Sequence, residues 1–446
     1  MQTALGQSSL GVILATRRQA EVLNYGNVSG ISWGGRELKS IELFVGAGGL
    51  GMGLGQSGFS HELVADLDGH SCATIRANQA TAHPAVEGWP LRECDVRDLN
   101  YRSLGTGIDL VSGGPPCQPF SLGGKHHGPL DKRDMFPEAI RAVRELSPKA
   151  FIFENVRGLQ RPSFSRYLEY IRDHLAFPEM TAGDGESWID HADRLSRHRA
   201  AANGSAGISY RVSMAVLNAA DFGVPQRRDR LILVGFRSDL DVEWTFPKPT
   251  HSLDALIWDK WVSSAYWDRH EIDRPERTSV PDRLRRRVSR LQGFDFPPPL
   301  QPWRTVRDAL AGLPDPEHRA SDCGHVPNHR YQPGARPYPG HTGSAYDEPA
   351  KVLKAGDHGV PGGENMLARP NGTCRYFSVR EAARLQTFPD DYQFPGSWTE
   401  SMRQIGNAVP VMLGHVLGEA IRSCLAEAAA IQKAETREHR VAGAAL

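Results

Sequence analysis

The chain has 446 residues, enough to bury a core larger than one minimal domain needs, so two globular parts are expected. Its 40% hydrophobic and 23% charged residues are those of an ordinary globular fold and exclude a disordered or collagen-like chain. The 52 basic and 52 acidic side chains cancel, so net charge neither requires nor forbids a nucleic-acid partner, and any such contact must come from local clusters.

Six cysteines without CxxC spacing argue against a disulfide framework and a structural zinc site, which points to a reducing cytoplasm and no metal. The apolar run 10–15 is too short for an export signal, and no stretch reads as membrane-spanning. Residues 1–38 carry weak patterning and form an N-terminal extension. From Lys39 onward, apolar runs at 41–45, 63–65, 108–111, 150–153 and 231–236 predict buried strands. Between them lie helical patterns such as 135–146, stopped by Ser147-Pro148. Strands alternating with helices predict an α/β, Rossmann-like fold with a mostly parallel sheet covered on both faces.

This first domain spans 39–246, with a polar stretch at 177–207 that reads as an inserted loop. After Phe246-Pro247-Lys248-Pro249 the texture changes, and 247–375 is expected to be a smaller, irregular second domain with little helix. Regular patterning returns over 376–425. It ends in a helix with apolar residues at Val409, Met412, Leu413, Val416, Leu417, Ala420 and Ile421, expected to pack back on the first domain, before a tail at 426–446.

The first chemical motif is Phe44-Val45-Gly46-Ala47-Gly48-Gly49-Leu50-Gly51, between a strand and a helix, where glycines let the backbone approach a nucleotide-like cofactor. Gly46, Gly48 and Gly51 satisfy G-x-G-x-x-G and Asp66 follows 20 residues after Gly46, a pattern that a nicotinamide-dependent dehydrogenase also shows. Asp66 suits the ribose hydroxyls and Leu67 an adenine face. At the next strand end, Cys94-Asp95-Val96 offers a carboxylate to the adenine amino group. The decisive motif is Gly113-Gly114-Pro115-Pro116-Cys117-Gln118-Pro119-Phe120-Ser121, a rigid loop that holds a cysteine outward at the carboxyl end of a strand.

Together these stretches resemble the DNA cytosine-5 methyltransferase family, and the likeness continues in order. It runs through Glu154-Asn155-Val156, Gln226-Arg227-Arg228-Asp229-Arg230, Arg380-Glu381-Ala382-Ala383-Arg384-Leu385-Gln386-Thr387-Phe388-Pro389 and Gly406-Asn407-Ala408-Val409-Pro410, covering about 40–425. The resemblance implies S-adenosyl-L-methionine as cofactor, held by Phe44, Gly46, Gly48, Gly49, Asp66, Leu67, Asp95, Val96, Pro116, Asn407 and Val409. It also implies catalysis by Cys117, Glu154, Arg228 and Arg230. Cys117 attacks carbon 6 of a flipped-out cytosine. Glu154 serves ring nitrogen 3, Arg230 donates to the cytosine oxygen, and Arg228 contacts a phosphate or supports the thiolate.

The implied partner is double-stranded DNA, bound by a monomer that reads its sequence with 247–375, with the arginine run 283–290 as a phosphate-contacting surface. A cognate restriction endonuclease acting separately is an open partner. The family more often has Glu at the position of Asp66, which keeps the charge on a shorter arm. Two rivals are a transfer-RNA cytosine-5 methyltransferase and a catalytically silent DNA-binding regulator on the same fold.

Overall fold

The computed structural model describes residues 37–116, 134–201, 207–339, 341–355 and 365–444. Cys117 and almost all of the N-terminal extension lie outside the described residues. The first part runs β1 (Leu38–Leu43), α1 (Gly49–Gln56), β2 (Phe59–Asp66), α2 (Gly69–Ala80), β3 (Leu91–Glu93), β4 (Leu110–Gly113), α3 (Phe136–Leu146), β5 (Ala150–Val156), α4 (Ser165–Ala176), α5 (Trp188–Ala201), β6 (Tyr210–Asn218) and β7 (Asp229–Arg237). Its seven-stranded sheet has the order β3-β2-β1-β4-β5-β7-β6. Strands β1 to β5 pair in parallel, whereas β7 is antiparallel to both β5 and β6.

The central strands carry continuous apolar runs because helices cover both faces: Ile41, Leu43, Val111, Phe151 and Ile152 are all fully buried. Edge strand β6 is half-buried along most of its length, so its pattern is too mixed to stand out in the sequence. The polar stretch 177–207, expected to be a loop, instead holds helix α5. That helix buries only His191, Ala192 and Leu195 against α4 and keeps the rest of its surface polar.

The second part continues with β8 (His251–Ser252), α6 (Leu253–Trp261), α7 (Ala265–Arg269), α8 (Arg285–Gln292), β9 (Gln301–Pro302), α9 (Val306–Leu310), β10 (Ser344–Ala345), β11 (Met366–Ala368) and β12 (Cys374–Tyr376). Its first half is more helical than expected. Ser252 caps α6 by accepting from the Ala255 N–H, and the buried Tyr266 and Trp267 give these short helices a core. The arginine run is largely paired within the protein: Arg283 with Glu348, Arg285 with Asp282, and both Arg287 and Arg290 with Asp254. Those ion pairs reduce the free positive charge expected of a phosphate-contacting face.

The chain then returns through α10 (Val379–Leu385), α11 (Trp398–Asn407) and α12 (Val411–Ala444). Ser378 and Glu381 form a capping box on α10, and Glu381 also pairs with the buried Arg375 at 2.7 Å. Arg380 donates to the carbonyls of Pro327, Pro389 and Tyr392, and Arg384 to those of Ala309 and Ala311, tying the returning helix to the second part. By length and composition the stretch Trp398–Ala434 is apolar enough to cross a membrane, which the sequence reading did not anticipate. Leu413, Leu417 and Ile421 on that stretch are nevertheless fully buried in the protein's own core.

Helix α12 lies directly on α1, and glycine makes the approach possible. A Cβ at Gly53 would stand 2.4 Å from the His415 nitrogen and the Val411 oxygen, whereas one at Gly55 would meet nothing within 4 Å. Gly53→Ala should therefore destabilise by about 1–3 kcal/mol through overpacking. Gly55→Ala should be neutral or stabilising by about 0.5–1 kcal/mol through helix propensity. Denaturation of the two variants side by side checks this, and equal shifts would contradict the packing.

Candidate active site

The carboxyl ends of β1, β2, β4 and β5 open onto one cavity of about 500 Å3. At one end the chain leaves β1 through Phe44 and Gly46, both with positive φ, and enters α1 from Gly48, whose φ is 89°. Asp66 fixes that loop: its Oδ2 accepts from the Gly46 N–H at 2.7 Å and its Oδ1 from the Asp68 N–H at 2.8 Å. Burial raises the Asp66 pKa, and these two backbone donors oppose the rise. Beside it Leu67 is 66% exposed, an apolar side chain presented to the cavity instead of the core.

Gly49 is required by a close approach, since a Cβ there would lie 2.2 Å from the carbonyl oxygen of Val409. Asn407 is exposed at the same rim, and Val96 forms part of the wall. Asp95 also lines the cavity, but its carboxylate accepts from the backbone and guanidinium of Arg97, which lower its pKa. Gly48 does not line the cavity; it turns the chain beneath Trp89, whose ring a Cβ would approach to 3.1 Å.

The other end is built on the antiparallel pair β5 and β7. Glu154 Oε1 lies 2.7 Å from Arg230 Nε, with both side chains only 11% exposed. Burial lowers the Arg230 pKa and the adjoining carboxylate offsets that effect. Asn155 donates to the Pro115 carbonyl at 2.9 Å, and the Met135 N–H donates to that of Pro116 at 3.2 Å. Both edges of the Cys117 loop are thereby anchored beside Glu154. Arg228 is fully buried at the cavity wall, and its guanidinium donates to the backbone carbonyls of Leu353, Gly406 and Ala408.

A model of the C-5 cytosine-specific DNA methylase family matches residues 38–177 and 199–423. The chain belongs to that family. The enzyme is 31% identical over 394 residues to the Type II methyltransferase M.PspPI of Psychrobacter sp. (strain TA137), an alignment covering 86% of this chain and 79% of the relative. It is 29% identical over 393 residues to M.NgoMIV of Neisseria gonorrhoeae, covering 87% and 98%. Its fold is shared with a prophage-encoded E. coli protein described as a DNA modification methyltransferase, at a TM-score of 0.53 and 20% identity, over 87% of this chain and 99% of that one. Residues 178–198, between the two matched stretches, hold the first part of the inserted segment, including most of α5.

Arg403 and Glu42 are among the cavity residues of this methyltransferase that the motifs did not single out. Arg403, on α11, bridges Asp68 at 2.9 Å and also pairs with Glu400, clamping the returning helix to the rim. Glu42 lies inside β1, 1% exposed, with Oε2 lacking a hydrogen-bond partner among the described residues. The available signal was an acid in the middle of an apolar strand. Burial pushes the Glu42 carboxyl from its ordinary 4.5 up to about 8.

Because that folded-state value is above the unfolded one, the associated stability is fully present below about pH 4.5 and is lost as pH rises towards 8. Glu42→Gln, which stays neutral, should gain thermal stability relative to the parent progressively from pH 5 to pH 8. Parallel melting curves across that range would contradict the assignment.

Proposed function

We propose that this methyltransferase moves a methyl group from S-adenosylmethionine to carbon 5 of a cytosine flipped out of a specific duplex DNA sequence, through a covalent bond between Cys117 and carbon 6. The observation that carries this reading is the single cavity with the Glu154–Arg230 pair at one end and the Phe44–Gly46–Asp66–Leu67 cradle at the other. The cradle fits the cofactor on two counts. Leu67 offers an exposed apolar face, and a Cβ at Gly46 would enter open space. When bound, S-adenosylmethionine supplies an electrophilic methyl group on a sulfonium centre.

The chain's own residues do the remaining work. Asp66 and Leu67 orient the ribose and adenine, Asp95 and Val96 receive the far edge of the adenine, and Asn407 and Val409 close the rim. Cytosine carbon 5 is a poor nucleophile until the Cys117 thiolate adds to carbon 6. That addition drives electrons towards nitrogen 3 and the exocyclic oxygen. Glu154 hands a proton to nitrogen 3, and Arg230 donates to the oxygen, where charge builds up. After methylation the carbon 5 proton passes to water or a basic side chain, the Cys117 thiolate is eliminated, and nitrogen 3 returns its proton to Glu154, restoring the ring.

Segment 247–375 reads the DNA sequence in this proposal. Both ends of the cavity come from one chain, so the proposed chemistry asks for no second copy. The names of the curated relatives support a place in a restriction-modification system. The five described cysteines are free thiols, which suits a reducing cytoplasm.

Incubation with methyl-labelled S-adenosylmethionine and unmethylated duplex DNA of mixed sequence tests the reading. The parent should label DNA, the Cys117→Ser variant should not, and Glu154→Gln should slow transfer by about 10²–10⁴-fold. Mapping the 5-methylcytosine gives the target sequence. Label on transfer RNA alone, or on neither nucleic acid, would contradict the proposal.

A further inference from the structure

Three regions distant in sequence meet at one buried side chain. Arg228 Nη1 donates to the Leu353 carbonyl at 3.3 Å, and Nη2 donates to those of Gly406 at 2.7 Å and Ala408 at 2.8 Å. Leu353 belongs to segment 247–375, whereas Gly406 and Ala408 flank Asn407 on the cavity rim. The charges of Arg230 and Glu154 also act on this guanidinium.

Gln226, equally buried, supports the arrangement from two residues away. Its Oε1 accepts from the Leu353 N–H at 3.1 Å, while its Nε2 donates to Gln386 Oε1 at 3.3 Å. Gln386 in turn donates to the carbonyls of Ile405 and Ala408. Leu353 is thus held by its N–H and by its carbonyl, and both holds lead to the cofactor rim. Packing leaves little slack: a Cβ at Gly406 would stand 2.6 Å from the Ala355 nitrogen. A buried guanidinium that loses its acceptors is left desolvated at high cost, so the segments on either side of Arg228 cannot shift independently.

We infer that Arg228, backed by Gln226, is a positioning residue that couples segment 247–375 to the cofactor rim, so that DNA and S-adenosylmethionine raise each other's affinity through it. This role rests on the reading of the cavity proposed above. The coupling is a ratio of affinities and is reciprocal between the two ligands. A residue that merely stabilises the fold lowers the active fraction and leaves that ratio alone.

The test measures the Kd of S-adenosylhomocysteine for the full chain by calorimetry, alone and with saturating duplex DNA carrying the sequence mapped by methyl transfer. In the parent, DNA should tighten binding by about tenfold or more, within the usual range of allosteric coupling. In Arg228→Met the ratio should fall to within about twofold of unity, with Arg228→Lys intermediate because one ammonium serves fewer of the three carbonyls. Gln226→Met, which frees the Leu353 N–H but leaves Arg228 in place, should lower the ratio too, and it decides the matter if the Arg228 variants do not fold. A parental ratio retained in Arg228→Met or in Gln226→Met, or a parent without coupling, overturns the inference while leaving methyl transfer intact. A parent that methylates no DNA overturns the proposed function, and this inference with it.

Discussion

The site depends on the contact between the last helix and the first. The strand ends of an open α/β sheet form only half of a binding site, and here the other half arrives when α12 lies against α1. Glycines at 49 and 53 remove the side chains that would hold the helices apart, and the Val409 carbonyl then sits where a Cβ of residue 49 would be. Asn407, Ala408 and Val409 are thereby set across the cavity from Phe44 and Asp66, residues more than three hundred positions earlier. The cavity is thus a product of chain return, and its precision is set by the few tenths of an ångström that helix packing tolerates.

Buried charge is organised around that return. Arg375 meets Glu381, Arg380 and Arg384 take backbone carbonyls, and Arg228 joins three carbonyls from two parts of the chain. Such groups contribute little net stability compared with apolar packing, but each permits a single arrangement, because any other leaves a charge desolvated and unpaired. The Glu154–Arg230 pair likewise borders the cavity, with the two side chains 2.7 Å apart. Glu42 is a further case, a carboxyl buried inside β1 whose pKa desolvation pushes up.

Much of this was legible in the sequence because motifs at strand ends are short, rich in glycine and proline, and local. Gly46, Gly49, Asp66 and Asp95 were read from their places at strand ends and Glu154 and Asn407 from the family motifs, and all six line the cavity. Long-range geometry was less visible. The alternation of Gln226, Arg227 and Arg228 does not reveal that the first and third face inward to Leu353 and Gly406, because those partners are backbone atoms with no sequence signature. Edge strand β6 and helix α5 escaped for a related reason: each buries so narrow a face that its periodicity fades into the polar background. Helices α6 to α8 are short and mix aromatic with arginine residues, so no clear helical period marks them, although Tyr266 and Trp267 pack together as core.

The central claim, that the Cys117 loop and the Glu154–Arg230 pair act on a flipped cytosine in the cavity that also binds the cofactor, is most directly tested by mechanism-based trapping. Duplex DNA carrying 5-fluorocytosine at the mapped target is incubated with the enzyme and S-adenosylmethionine, and the product is examined by denaturing electrophoresis and peptide mass spectrometry. Fluorine at carbon 5 cannot leave as a proton does, so the account predicts a stable adduct joining Cys117 to the methylated base, formed only when the cofactor is present. A complex that dissociates on denaturation, or an adduct on a different residue, would contradict it.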